Sequence, residues 1–169
     1  MHEPSTLPVM VIDDEPHLRI TASQTLELAG YTPYCFESAE QALAALTPDF
    51  PGVIVSDIRM PGMDGMALLH ELHSRDATLP IILITGHGDI STAVEAMRAG
   101  AWDFLEKPFA GDQLLDVVRR GIEKRQLSLE NHRLKAELEV QQAALGPRLV
   151  GRTPIISRLA AMIQRISQV

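Results

Sequence analysis

Ile54-Val55-Ser56-Asp57-Ile58-Arg59-Met60-Pro61-Gly62-Met63-Asp64-Gly65 is the stretch on which the fold turns. A short apolar run, Val53 to Val55, ends in the carboxylate of Asp57. Two turn signals follow at once, Pro61-Gly62 and Asp64-Gly65. This reads as a buried strand that delivers an acid to the rim of a sheet and then turns away sharply. Taken alone, Asp57 reads equally well as the cap of a turn. The other runs of the chain separate the two readings.

Val9 to Ile12 is a second short apolar run, and it ends in Asp13-Asp14-Glu15. Pro16 suits the first turn of a helix. Leu18, Ala22, Leu26 and Ala29 recur at helical spacing, and Gly30 is placed to end that helix. Tyr31 to Phe36 is strand-like but mixed, as an outer strand would be. A helix capped by Ser38 carries Ala42, Leu43 and Leu46. Asp64 begins a helix with Met66, Leu68, Leu69 and Leu72. Leu79 to Thr85 reads as a fourth strand, followed by a helix through Ala93, Val94, Ala96 and Met97 that Gly100 closes. Ala101 to Glu106 is a fifth strand, then Lys107-Pro108-Phe109, and a long helix begins near Gly111. Strand and helix alternate five times. The predicted class is α/β: a five-stranded parallel sheet, doubly wound, with an extended C-terminal helix.

In such sheets, sites form beyond the C-terminal ends of the strands. Asp13 and Asp14, Asp57, Thr85 and Lys107 all fall there. Separately they are a helix-flanking acid pair, a turn cap, a strand-end residue and a surface charge. Together they are a constellation. Gathered carboxylates repel one another and raise one another's pKa, which a hard divalent cation such as Mg²⁺ relieves. A carboxylate becomes a competent nucleophile toward phosphorus once the charges are neutralised. Lys107 supplies an ammonium for phosphoryl oxygens and Thr85 a hydroxyl.

The composition excludes several classes. Among 169 residues there is one cysteine, Cys35, so no internal disulfide is possible. Met1 to Pro8 lacks the charged start and apolar core of a signal peptide. No apolar run approaches the ~20 residues of a membrane helix. A cytoplasmic protein without membrane attachment is expected. Residues 1–110 carry 16 acidic and 5 basic residues, and residues 111–169 carry 6 and 10. The acidic front half argues against direct nucleic acid binding.

Leu127, Asn131, Leu134, Leu138, Gln141 and Leu145 recur at alternating spacings of four and three, the coiled-coil period. A parallel homodimer through this helix is expected, with Asn131 fixing register. The same pattern would suit a single amphipathic helix docked on another domain. Gly146-Pro147 breaks the helix, and a further helical pattern follows with Ile155, Ile156, Leu159, Met162, Ile163 and Ile166. The expected organisation is an α/β domain over 1–122, a coiled-coil linker over 123–146 and the edge of a further domain over 147–169.

Asp13-Asp14, Asp57, Thr85 and Lys107-Pro108 at these separations resemble the receiver domain of two-component response regulators, which has the flavodoxin-like fold. The resemblance covers residues 8 to about 122. It implies that Asp57 is the phosphoacceptor and that Asp13, Asp14, Asp57 and the backbone carbonyl of Arg59 hold Mg²⁺. It further implies that Thr85 is the switch hydroxyl, Lys107 the phosphate-binding ammonium and Phe104 the switch aromatic. Gly86, directly after Thr85, should leave Asp57 open to a phosphodonor, and His87 is read as an ordinary loop residue. The partner implied is a sensor histidine kinase. The runs Asp57 to Gly65, Thr85 to Asp89 and Leu149 to Pro154 also resemble the NtrC class of sigma-54-dependent activators. That likeness implies a parent protein with a downstream AAA+ domain that engages sigma-54 RNA polymerase, and so ATP and DNA binding outside this sequence. No G-x-x-x-x-G-K-[ST] run occurs in the 169 residues, so no nucleotide-binding loop is expected in them and no enzymatic activity is assigned. An Asp-nucleophile phosphohydrolase of the haloacid dehalogenase type would place its nucleophile first in a D-x-D pair. Here Asp57 precedes Ile58-Arg59, and the first strand ends in adjacent acids. The remaining alternative is a module that dimerises constitutively without using phosphorylation.

Overall fold

The computed structural model describes residues 7–145. The expected domain edge over 147–169 lies outside them. Residues up to Leu129 form one compact unit, and those from Glu130 belong to a second. The elements are β1 (Pro8–Ile12), α1 (Pro16–Leu28), β2 (Thr32–Phe36), α2 (Ala39–Ala45), β3 (Val53–Asp57), α3 (Gly65–Arg75), β4 (Ile81–Thr85), α4 (Ile90–Arg98), β5 (Asp103–Glu106) and α5 (Gly111–Leu145).

All five strands are parallel, in the order β2-β1-β3-β4-β5. The order reverses beside β1, so β1 and β3 flank the switch point, where such sheets hold their ligands. β1, β3 and β4 are central and apolar on both faces. Val9, Val11, Val55, Ile82 and Ile84 pack with Ala22 and Leu26 of α1 and with Leu114, Val118 and Ile122 of α5. Met10, Ile12, Ile54, Ile81 and Leu83 face Ala39 and Ala42 of α2, Leu68, Leu69 and Leu72 of α3, and Ala96 of α4. Each leucine of the α3 trio is fully buried, worth roughly 2 kcal/mol apiece. β2 is an edge, where Pro33 can lack an N–H without breaking a ladder.

Caps set the helix ends. Ser38 accepts from the Gln41 N–H at 3.2 Å, and Asp64 accepts from the Ala67 N–H at 2.9 Å. Gly30 (φ +93°) and Gly100 (φ +112°) supply the left-handed residue that ends α1 and α4. Two strands begin later than the sequence pattern suggests. β4 starts at Ile81 rather than Leu79, because Pro80 has no N–H; its carbonyl accepts from the Ile54 N–H at 3.1 Å. β5 starts at Asp103 rather than Ala101, because the Ala101 N–H is taken by the Ala96 carbonyl in the closure of α4.

Among the described residues, no helix is long and apolar enough to cross a membrane.

Candidate functional site

The site is built at the C-terminal rim of β1, β3, β4 and β5. Asp57 ends β3 and is 7 % exposed. The chain then doubles back so closely that a Cβ on Gly65 would lie 2.6 Å from the Asp57 carbonyl oxygen, and the Gly65 N–H donates to Ile58. Glycine at 65 therefore lets α3 start directly beneath the Asp57 peptide. From the other side, Glu40 of α2 accepts the Met63 N–H at 3.1 Å and steadies the turn.

Asp57 is held at both carboxylate oxygens. Oδ1 accepts from the Arg59 N–H at 3.2 Å, and Oδ2 accepts from Lys107 Nζ at 3.0 Å, fifty residues away on β5's exit loop. Burial opposes the Lys107 charge, but the hydrogen bond and charge of Asp57, with Asp13 and Glu15 behind, outweigh it and leave the ammonium's pKa raised. Lys107 stays charged at any physiological pH.

Asp13 follows β1 and is 2 % exposed, while its neighbour Asp14 is open to solvent. One oxygen of each of Asp13, Asp14 and Asp57 falls within 4.8 Å of the others. Burial, with smaller pushes from Asp57 and Asp14 and a counter-pull from the Glu15 N–H, raises the Asp13 carboxyl to about 6. Its Oδ2 is buried with no hydrogen-bond partner. An orphaned carboxylate oxygen amid three acids is the donor set a hard divalent cation takes, so these residues fit Mg²⁺. Arg19, on the first turns of α1, donates from Nη1 to the Asp13 carbonyl at 2.6 Å.

Thr85 ends β4, 2 % exposed, and its hydroxyl donates to the Leu105 carbonyl at 3.4 Å rather than to Asp57. Phe104, on β5, is 38 % exposed. Asp13, Asp14, Asp57 and Lys107 thus converge directly, and Thr85 reaches the rim on the neighbouring strand. Phe104 stands apart from them on the surface. A Cβ on Gly86 would touch nothing within 4 Å, so the backbone there is open to solvent. His87 is exposed, 3.7 Å from Glu106, which also accepts the Gly88 N–H. The seam residues Leu127, Asn131 and Leu134 are exposed, and Leu138 is half-buried. The side chain of Leu145 lies outside the described residues.

The sequence reading missed two groups. Arg59 pairs through its side chain with Asp89 at the start of α4, at 3.0 Å. Arg125 of α5 is fully buried and bonds Asp76 at 2.8 Å, Thr78 Oγ1 at 2.9 Å and the Phe50 carbonyl at 2.8 Å. A signal for Arg125 was available. It continues the stripe Leu114, Val118, Ile122 at helical spacing, where a surface charge would not fall.

Residues 9–119 match the response regulator receiver domain family. The chain belongs to that family. As a receiver domain it is a regulatory module rather than an enzyme. It is 52% identical over 161 residues to the C4-dicarboxylate transport transcriptional regulatory protein DctD of Pseudomonas aeruginosa. That alignment covers 95% of this chain and 35% of the relative. The DctD of Rhizobium meliloti is 50% identical, over 94% of this chain and 34% of its own length. The chain therefore spans about a third of the length of these curated relatives. The crystal structure of the receiver domain of NtrX from Brucella abortus superposes with a TM-score of 0.65 at 40% identity, covering 68% of this chain and 98% of that one. The receiver's doubly wound parallel sheet is the fold expected from the strand pattern.

Proposed function

We propose that the receiver is a phosphorylation switch in which Asp57 accepts a phosphoryl group from a sensor histidine kinase. A carboxylate oxygen of Asp57 attacks phosphorus, a P–O bond forms as the donor's P–N bond breaks, and the imidazole leaves. The observation that carries this reading is the 3.0 Å contact of Lys107 with Asp57 beside the buried, unpartnered Oδ2 of Asp13. Lys107 is placed to follow the charge from the carboxylate to the phosphoryl oxygens. Asp13, Asp14, Asp57 and the Arg59 carbonyl would hold Mg²⁺, which neutralises the negative charge that meets during transfer. Thr85 then exchanges its bond to the Leu105 carbonyl for a phosphoryl oxygen, and Phe104 moves with it.

The output is the state of a homodimer formed through Leu127, Asn131, Leu134, Leu138 and Leu145. We take the domain to span 1–122 and the linker helix 123–146, leading to an AAA+ domain from 147 that works with sigma-54 polymerase in the cytoplasm. Support comes from the 161-residue alignment with DctD, which runs beyond the receiver family's own limits. By that likeness the regulated process is C4-dicarboxylate transport.

The test is intact-mass measurement after treatment with acetyl phosphate and Mg²⁺. Wild type is expected to gain one phosphoryl group and Asp57→Asn none. No gain on wild type, or an equal gain on the variant, rejects the proposal.

A further inference from the structure

Asp13 has four polar groups, and three are spoken for. Its N–H donates to the Phe36 carbonyl at 3.1 Å, its Oδ1 accepts the Glu15 N–H at 2.9 Å, and its carbonyl accepts Arg19 Nη1 at 2.6 Å. The fourth, Oδ2, is buried without a hydrogen-bond partner, on a carboxylate that offers one oxygen within 4.8 Å of oxygens of Asp14 and Asp57. The first two bonds come from neighbouring backbone and fix Asp13 itself. The third is different in kind: a cationic side chain, half-buried, reaches back six residues from α1 to grip the carbonyl that joins Asp13 to Asp14.

We propose that Arg19 is a positioning residue for the acidic site, holding the Asp13–Asp14 peptide so that both carboxylates face the cation. The inference rests on the reading of that site as a Mg²⁺ site. A charge-assisted bond of this length is stronger and more directional than a neutral one. Rotation of the 13–14 peptide would swing the Asp14 carboxylate away from Asp57, because no hydrogen bond or ion pair among the described residues holds that exposed side chain. Arg19 does this through the carbonyl, so it touches neither the cation nor the phosphoryl group. Its base is rigid: the Arg19 N–H donates to the Glu15 carbonyl at 3.3 Å in α1's first turn, and the Arg19 carbonyl accepts from Cys35 Sγ of β2 at 3.8 Å.

The test uses the full 169-residue chain. Mg²⁺ affinity is measured by titration calorimetry with MgCl₂ for wild type, Arg19→Ala, Arg19→Gln and Arg19→Lys, beside metal-free thermal melts. Arg19→Ala is expected to weaken Mg²⁺ about tenfold or more, the usual cost of losing a group that orients metal ligands. Arg19→Lys, whose ammonium can still donate to the carbonyl, is expected to recover part of that loss. Phosphoryl uptake from acetyl phosphate should return to the wild-type extent once Mg²⁺ is saturating. Arg19→Gln keeps most of the stem and serves where Arg19→Ala does not fold. An Arg19→Ala or Arg19→Gln protein that binds Mg²⁺ within twofold of wild type overturns the inference, whether or not it melts lower. Absence of Mg²⁺ binding by wild type overturns instead the reading of the site on which it rests.

Discussion

Asp13 shows at the scale of one residue what burying a carboxyl does to stability. Its carboxyl titrates at about 6 in the folded protein, chiefly because it is buried. An unfolded Asp titrates at ~3.9. Between those values the folded state binds more protons than the unfolded one, so stability falls as pH rises from ~4 to ~6. The stabilising contribution is full below ~4 and gone above the folded pKa. Asp13→Asn removes the charge and keeps an acceptor for the Glu15 N–H. In metal-free buffer the variant should be more stable than wild type at pH 7.5, on the order of 2 kcal/mol, and about equal at pH 4. Urea midpoints at the two pH values check this, and an equal gain at both would remove burial of the charge as the cause. The positions of Asp13, Asp57, Thr85 and Lys107 were legible in the sequence, because each ends a strand expected from the pattern or follows one directly. The Arg19 contact was not. A side chain reaching a carbonyl six residues back depends on the shape of the β1–α1 loop, which hydrophobic periodicity does not encode.

At the scale of elements, α5 is tied down by a charge rather than by apolar packing alone. Arg125 has a side chain only 1 % exposed, and its three acceptors lie on the segments that lead into β3 and β4. Arg133 on the same helix also forms two ion pairs, with Glu130 and Glu137, but is 58 % exposed. The two arginines should therefore differ in weight. Arg125→Ala leaves the Phe50 carbonyl and Asp76 without their partner and should cost about 3 kcal/mol. Arg133→Ala should leave the denaturation midpoint close to that of wild type, because water and salt screen its exposed pairs. Chemical denaturation of both variants makes the comparison, and equal costs would refute the role given to burial. A pH signature accompanies the first. Burial opposes the Asp76 charge, but hydrogen bonds from Thr78 and Arg125 outweigh it and hold its carboxyl below the usual value. That stability is present above the unfolded pKa and is lost as pH falls through the folded one. The gap between wild type and Arg125→Ala should accordingly narrow below about pH 4. Helix caps at Ser38, Asp64 and Gly100 could be read from sequence because capping is local. The partners of Arg125 could not, since they depend on which strands lie side by side.

At the scale of the whole molecule, the question is what holds the second half of α5. From Glu130 to Gln142 every described side chain but Leu138 is exposed. Leu127 is 73 % exposed, Leu134 51 % and Val140 67 %. An isolated helix of this length is marginal in water, and exposed i,i+4 pairs such as Arg133–Glu137 add little to it. The apolar residues at alternating spacings of four and three therefore need a cover, and a second copy of the chain offers an identical seam. With Leu127, Leu134 and Leu138 matched across a parallel pair, Asn131 meets its counterpart and fixes the register. Leu134→Lys places two ammonium groups opposite each other at the middle of that seam. Sedimentation equilibrium should show wild type as a dimer at micromolar concentration and Leu134→Lys as a monomer. Circular dichroism should show the variant losing helix from the seam while the α/β unit, whose core lies elsewhere, keeps its melting transition. Phosphoryl uptake by Asp57 should persist in the monomer, because every residue proposed for the pocket comes from one chain. A Leu134→Lys protein that remains dimeric would assign the dimer to another surface and leave the seam to an intramolecular partner.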